Sequence, residues 1–145
     1  MEKLRACGTY TIESHNLDTG ATSVHVVKNR IVQGWFTSIH ELMLGNSAEI
    51  EPTDFVLGTG QEPAQRSDTE LENEFFTKPF TTRSASDFVF QLRLSIGAPE
   101  GNPPGGIITE IGVKAGSTLL SRAIINVPKN ENVQLLITWT LTMEG

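Results

Sequence analysis

Residues 56–74 read VLGTGQEPAQRSDTELENE, and they hold the residue types and spacings in this chain that come nearest to chemistry. Gly58-Thr59-Gly60 after two apolar residues is how a phosphate-binding loop begins, because backbone N–H groups without side chains around them can close on an anion. A dinucleotide fingerprint needs a third glycine three positions on, where Pro63 stands, and a P-loop ends in Gly-Lys-Ser/Thr, which is missing here. The two glycines therefore read as a turn after a strand, at positions tolerant of positive φ. Asp68, Glu70, Glu72 and Glu74 follow at alternate positions. Alternate carboxylates can gather calcium, but the central glycine of a calcium loop is lacking. Ser67 with Glu70 three residues on has capping-box spacing, so the run is expected to open a capped helical turn with its acids at the positive end of the helix dipole.

Other reactive side chains are sparse. The histidines are His15, His25 and His40, and Glu41 after His40 is not followed by a second histidine at position 44, so no HExxH zinc motif forms. Ser38 lies too near His40 in sequence to argue a triad, which is a spatial arrangement. Cys7 is the one cysteine, which excludes an intrachain disulfide framework and reads as a buried or incidental thiol. No catalytic residue, metal ligand or cofactor-binding residue is expected. The formal net charge is −6, with no basic run, so phosphate-backbone recognition is not expected either. No window reaches the roughly 20 apolar residues of a membrane helix. Glu2, Lys3 and Arg5 interrupt the N-terminus, so the expectation is a soluble chain made in a cytoplasm.

The elements that would position these residues are mainly strands. In DFVFQLRLSI, Phe88, Phe90, Leu92, Leu94 and Ile96 share one parity, and in NVQLLITWTLTM the set is Val133, Leu135, Ile137, Trp139, Leu141 and Met143. Period-two alternation of this kind marks a strand with one buried face. Between them GIITEIGVKAGSTLLSRAIINV reads as a hairpin turning at Gly116, which would set Ile108 opposite Ile124, Glu110 opposite Arg122 and Gly112 opposite Leu120. A Glu110–Arg122 pair across a ladder contributes about 0.2–1 kcal/mol. Two strands in the first 30 residues flank HNLDTGA. Val32, Trp35, Phe36, Ile39, Leu42 and Met43 then fall at steps of three and four, which predicts a helix over 29–45, capped by Asn29, stopped by Gly45 and weakened by Gly34. Trp35 would anchor a partner if that helix packs between subunits. Pro79 confines EFFTKPFTT to an edge or a bulge. Residues 97–106, with three Pro and four Gly, form a long connection within one domain. The fold expected is a single mainly β domain over 1–145, an antiparallel β-sandwich or open barrel with one short helix in its first half.

In order, FVLGTGQEPAQRSDTELENEFF, alternating strands, IITEIGV, LLSRAIINVPK and VQLLITWTL resemble small virion proteins of tailed bacteriophages. The pattern is similar to the N-terminal attachment domain of tail-collar fibre proteins, which joins fibres to the baseplate. That domain's Gly-x-Gly loop, proline and T-x-L-x-x-E element correspond to Gly58, Gly60, Pro63, Thr69, Leu71 and Glu74. Its Glu-x-Gly strand corresponds to Glu110 and Gly112, and its lysine before the last strand to Lys129. The match spans about 53–143. More loosely, Gly8, Tyr10, Thr19, Gly20, Asn29 and Ile31 resemble the opening of other phage proteins.

The resemblance implies a non-enzymatic structural protein of the virion, made in the host cytoplasm. The residues stop after the attachment-like region, where fibres continue into a shaft and tip, so the expectation is a tail, baseplate or fibre-attachment adaptor. A capsid decoration protein bracing the head shell is the alternative. A small carbohydrate-binding module is the alternative of another class, although the chain has two Trp and one Tyr for stacking on sugars. Partners would be other virion proteins and further copies of the chain, as a trimer by analogy with fibres, with no nucleic acid and no membrane. The candidate interface loop is Gly58, Gly60, Gln61, Pro63 and Arg66, with 97–106 and unpaired sheet edges beside it.

Overall fold

A computed structural model describes residues 5–144. Nine antiparallel strands and one helix form β1 (Arg5–Asn16), β2 (Thr22–Ile31), α1 (Gln33–Met43), β3 (Asp54–Gly58), β4 (Glu74–Pro79), β5 (Thr82–Ser86), β6 (Val89–Ile96), β7 (Ile107–Ala115), β8 (Thr118–Pro128) and β9 (Val133–Glu144). The strands join in one sheet in the order β4-β3-β7-β8-β2-β1-β9-β6-β5, curled into a half-barrel. The open-barrel form of the expected fold is the one adopted.

Alternation explains the core. Tyr10, Ile12, Leu92, Leu94, Ile137 and Trp139 point into the curl and are buried, while Thr9, Thr11, Thr138 and Thr140 lie on the other parity, partly exposed. The Tyr10 hydroxyl shares a hydrogen bond with Ser121 across the core. Burial pushes its phenol above the ordinary value, so it stays protonated. Phe55 and Leu57 join this large cluster, but Val56 joins Val32, Leu71 and Leu119. The small cluster therefore lies on the opposite face of β3.

The sheet is continuous but uneven. β1 and β9 pair along their whole lengths, from Arg5 with Glu144 to Asn16 with Val133. β2 and β8 meet only at Arg30–Arg122 and Ile31–Ser121, and a cleft of about 470 Å³ opens beside them. The β7–β8 hairpin turns at Gly116 as expected, with φ +60. Its register differs: Glu110 faces Ile124, Gly112 faces Arg122 and Ile108 faces Val127. Two irregularities each add a residue to β8, which shifts the ladder and bends the strand.

The helix is shorter than 29–45, and Asn29 does not cap it. Asn29 sits in β2, because the strand alternation runs on to Ile31, and its Oδ1 accepts the Trp139 indole N–H at 3.4 Å. Val32 takes the N-cap position without a side-chain cap. Gly45 ends the helix as expected: at φ +84 it donates to the Leu42 carbonyl, and Asn46 donates to Glu41. Gly34 is required by packing, since a Cβ there would stand 2.7 Å from the Leu119 carbonyl oxygen. Trp35 is buried in the large cluster of its own chain.

Candidate functional site

The Gly-x-Gly loop does cradle an anion, and the anion is the chain's own Glu110. Its carboxylate is fully buried, at 0% exposure, on the β7 face opposite Ile111. Oε2 accepts the N–H groups of Gly60 at 2.7 Å and Asn73 at 2.8 Å. Oε1 accepts Glu72 N–H at 2.8 Å and Arg122 Nε at 3.1 Å. Each oxygen thus has two donors, which satisfies a buried carboxylate and leaves no lone pair for acid–base work.

This carboxylate also explains the glycines. Neither Gly58 nor Gly60 has a positive φ, contrary to the turn expected for them. A Cβ at Gly58 would lie 2.5 Å from the Glu110 Oε2, and one at Gly60 2.3 Å from it. The absence of a side chain lets the backbone approach the carboxylate. Gly60→Ala is expected to lose about 2 kcal/mol of stability by overpacking. Urea unfolding checks this, and a variant as stable as the parent would contradict it.

Arg122 completes the clamp. It is 2% exposed and runs diagonally from its ladder position opposite Gly112, which has no side chain to obstruct it. Besides Glu110 it reaches Asp68 Oδ2 from Nη1 at 3.0 Å and the Glu62 carbonyl from Nη2 at 2.9 Å. Asp68 also accepts Gln65 N–H at 2.8 Å, and Glu72 accepts Glu62 N–H at 3.0 Å. Thr59 N–H donates to the Asn73 carbonyl at 2.9 Å, joining the two ends of segment 59–73. A compact loop with its ends together, tied to the sheet by Glu110 and Arg122, is an Ω-loop.

The capped helical turn expected at Ser67 and Glu70 does not form, and 67–73 is turn and bend. Asp68 and Glu72 serve backbone N–H groups and Arg122 instead of a helix end. Glu74 pairs with Lys114 at 3.6 Å, and Glu70 is exposed. Of the candidate interface residues, Gly58 and Gly60 are buried, and Gln61, Pro63 and Arg66 are exposed. The Arg66 guanidinium lies over the Phe36 ring, 5.0 Å from its centroid. The Glu110–Arg122 pair holds, diagonal rather than directly opposed.

The second glycine- and proline-rich segment, 97–106, is held in a parallel way. Lys129 is 1% exposed, and its ammonium faces four oxygens: Val133 O and Asn102 Oδ1 at 2.8 Å, Ala98 O at 3.2 Å and Asn130 O at 3.4 Å. Burial pushes this lysine below its usual range, with Glu100 offsetting part of the shift. Glu100 itself is paired with Lys78, and that bond together with the Gly97 N–H at 2.9 Å holds its carboxyl below the ordinary value. Sequence reasoning marked Lys129 only through the resemblance; the signal it lacked is the set of oxygens from two separate segments, 98–102 and 130–133.

The other candidates stay apart. His15 Nδ1 is held by Gln134 at 3.3 Å, His25 meets Ser23 at 3.4 Å, and His40 is exposed on α1. Cys7 is exposed, contrary to the buried thiol among its expected forms. No cluster of three or more His, Cys, Asp or Glu suited to a metal occurs among the described residues. No known protein family, no curated protein and no solved structure matches the chain.

Proposed function

We propose that the chain is a structural protein of a tailed-phage virion, an adaptor at the tail, baseplate or fibre attachment point that works by assembly. The observation that carries this reading is the internally clamped Ω-loop. Its polar groups are satisfied from beneath by Glu110 and Arg122, so Gln61, Glu62, Pro63, Gln65 and Arg66 face solvent on a fixed backbone. A pre-ordered loop binds without the entropic cost of ordering on contact. Several of the residues resembling fibre attachment domains meet at this clamp: Gly58, Gly60 and Glu110 touch, and Leu71 is buried beside Val56, while Lys129 lies in the separate 97–106 clamp. A sugar-binding reading is weakened by the burial of Trp35, Trp139 and Tyr10.

The test is a loop variant combining Gln61→Ala, Pro63→Ala and Arg66→Glu, which changes only exposed side chains. The expected result is a stability lowered by no more than about 0.5–1 kcal/mol, the contribution of the lost Arg66–Phe36 contact, read by urea unfolding, together with at least a tenfold loss of the protein from purified particles, read by quantitative mass spectrometry. Full incorporation of the variant would overturn the reading. Immunogold labelling on the head instead of the tail would replace it with the decoration role.

A further inference from the structure

We propose that the β5–β6 turn, Asp87-Phe88, docks into the cleft between β2 and β8 of a second copy of this chain. Ser86 faces Val89 across the hairpin, so the turn is the two residues Asp87 and Phe88, with φ +50 and +67. A two-residue turn with both φ positive favours Asn-Gly or Asp-Gly. Asp87 suits the first place. Phe88 stands where glycine is favoured, and a bulky residue held in that conformation is strained. Packing within the chain does not account for it, since Phe88 is 85% exposed. Its carbonyl accepts the Met143 N–H at 3.1 Å, which ties the turn to β9. Aromatic side chains displayed on a fixed backbone are enriched among the residues that carry binding energy.

The cleft complements this turn in both shape and charge. It measures about 470 Å³, and its apolar lining includes Pro63, Ala64 and Ile124. Its charged lining residues are both cations, Lys28 and Arg30. Neither pairs with a carboxylate among the described residues, and Asp87 pairs with no cation there. Arg30 lies directly opposite Arg122 in the ladder, where like charges repel. Glu110 and Asp68 already hold Arg122, so Arg30 is the charge left for an incoming carboxylate. The Phe88 ring fits against the apolar wall while the Asp87 carboxylate meets Lys28 and Arg30.

Turn and cleft sit at the same end of the sheet. Phe90, Leu141, Gly8 and Asn29 face one another in turn across β6, β9, β1 and β2. Phe88 on one flank and Arg30 on the other both lie beyond that row in the same direction. Two copies meeting end to end about a twofold axis therefore seat each turn in the other's cleft at once. The contact is isologous and closes at two copies. The β1–β2 turn also sets an exposed apolar residue, Leu17, beside an acid, Asp18, but it lies at the opposite end of β2 and would build an open chain instead.

This twofold contact differs from a fibre-like threefold one and does not depend on the virion reading. Sedimentation equilibrium of the full chain under reducing conditions, up to several hundred micromolar, should show a species of twice the 15.8 kDa chain mass. Phe88→Gly should raise the dimer Kd about tenfold or more and also raise the urea midpoint, because it removes the anchor and gives the turn the residue it favours. Leu17→Ala should leave the Kd unchanged. Asp87→Lys in one sample, and Lys28→Glu with Arg30→Glu in another, should each leave the chain monomeric. Mixed in equal amounts, the two samples should form a heterodimer, since each turn then meets a cleft of opposite charge. A strict monomer of the parent chain at every concentration would overturn the proposal. So would a dimer that tolerates Phe88→Gly or that Leu17→Ala abolishes, and so would charge variants that dimerise alone or stay monomeric when mixed.

Discussion

Glu110→Gln should lose about 3 kcal/mol of unfolding free energy, because it removes the fully buried partner of Arg122 and leaves that charge only the partly exposed Asp68 and the Glu62 carbonyl. The substitution keeps the side-chain volume and leaves Arg122 without its buried carboxylate. It also turns an amide N–H₂ toward N–H donors at Gly60, Glu72 and Asn73, which can no longer all be satisfied. Urea titration gives the total loss, and amide exchange should locate it first at those three amides. Arg122→Met should cost a similar amount by freeing Glu110. The double replacement of Glu110 and Arg122 by Met should cost clearly less than the sum, since neither charge is then left alone. Additive losses would show that the two residues act separately and that the clamp is not one unit.

Lys129→Met should lose about 3 kcal/mol, with its effect confined to residues 97–106 and 129–133. The methionine fills the same channel but leaves the Val133 and Ala98 carbonyls and the Asn102 amide oxygen without their cation. The expected signature is faster amide exchange across 97–106 and 129–133, with protection at 59–73 unchanged. The last condition matters because the two clamps share no residue and no hydrogen-bond partner, and sites without shared partners add independently. Loss of protection in both loops together would mean that the loops open as one cooperative unit.

The strands were legible where a single parity stays buried. β6 and β9 match the alternating runs at 89–96 and 133–141 because Leu92, Leu94, Ile137 and Trp139 all face one core, whereas Phe88, expected on that face, lies in the turn before β6 and is 85% exposed, and Met143 is 37% exposed at the strand end. The turn at Gly116 was legible because glycine tolerates its positive φ. The register of that hairpin was not, because the extra residues in β8 leave no mark in the pattern of side chains. Asn29 was misread as a cap because a polar residue before a helical stripe looks the same whether it ends a turn or sits opposite an indole. The acidic run misled for a related reason. Capping-box spacing is local, whereas Asp68 and Glu72 answer to Arg122 and to amides at 61–62. The candidate loop was found, but its glycines were given the wrong purpose, since the residue they make room for lies 50 positions away.

The pairing of β1 with β9 has a consequence in time. β9 lies between β1 and β6 in the sheet, yet it is the last of the nine strands to leave the ribosome. Until it emerges, Tyr10 and Ile12 on one side and Leu92 and Leu94 on the other have no strand between them, and two sticky borders face each other across an empty lane. Closing it joins residues more than a hundred positions apart, the sort of contact that makes folding slow. The nascent chain must therefore wait, unsealed, for the dozen residues of β9.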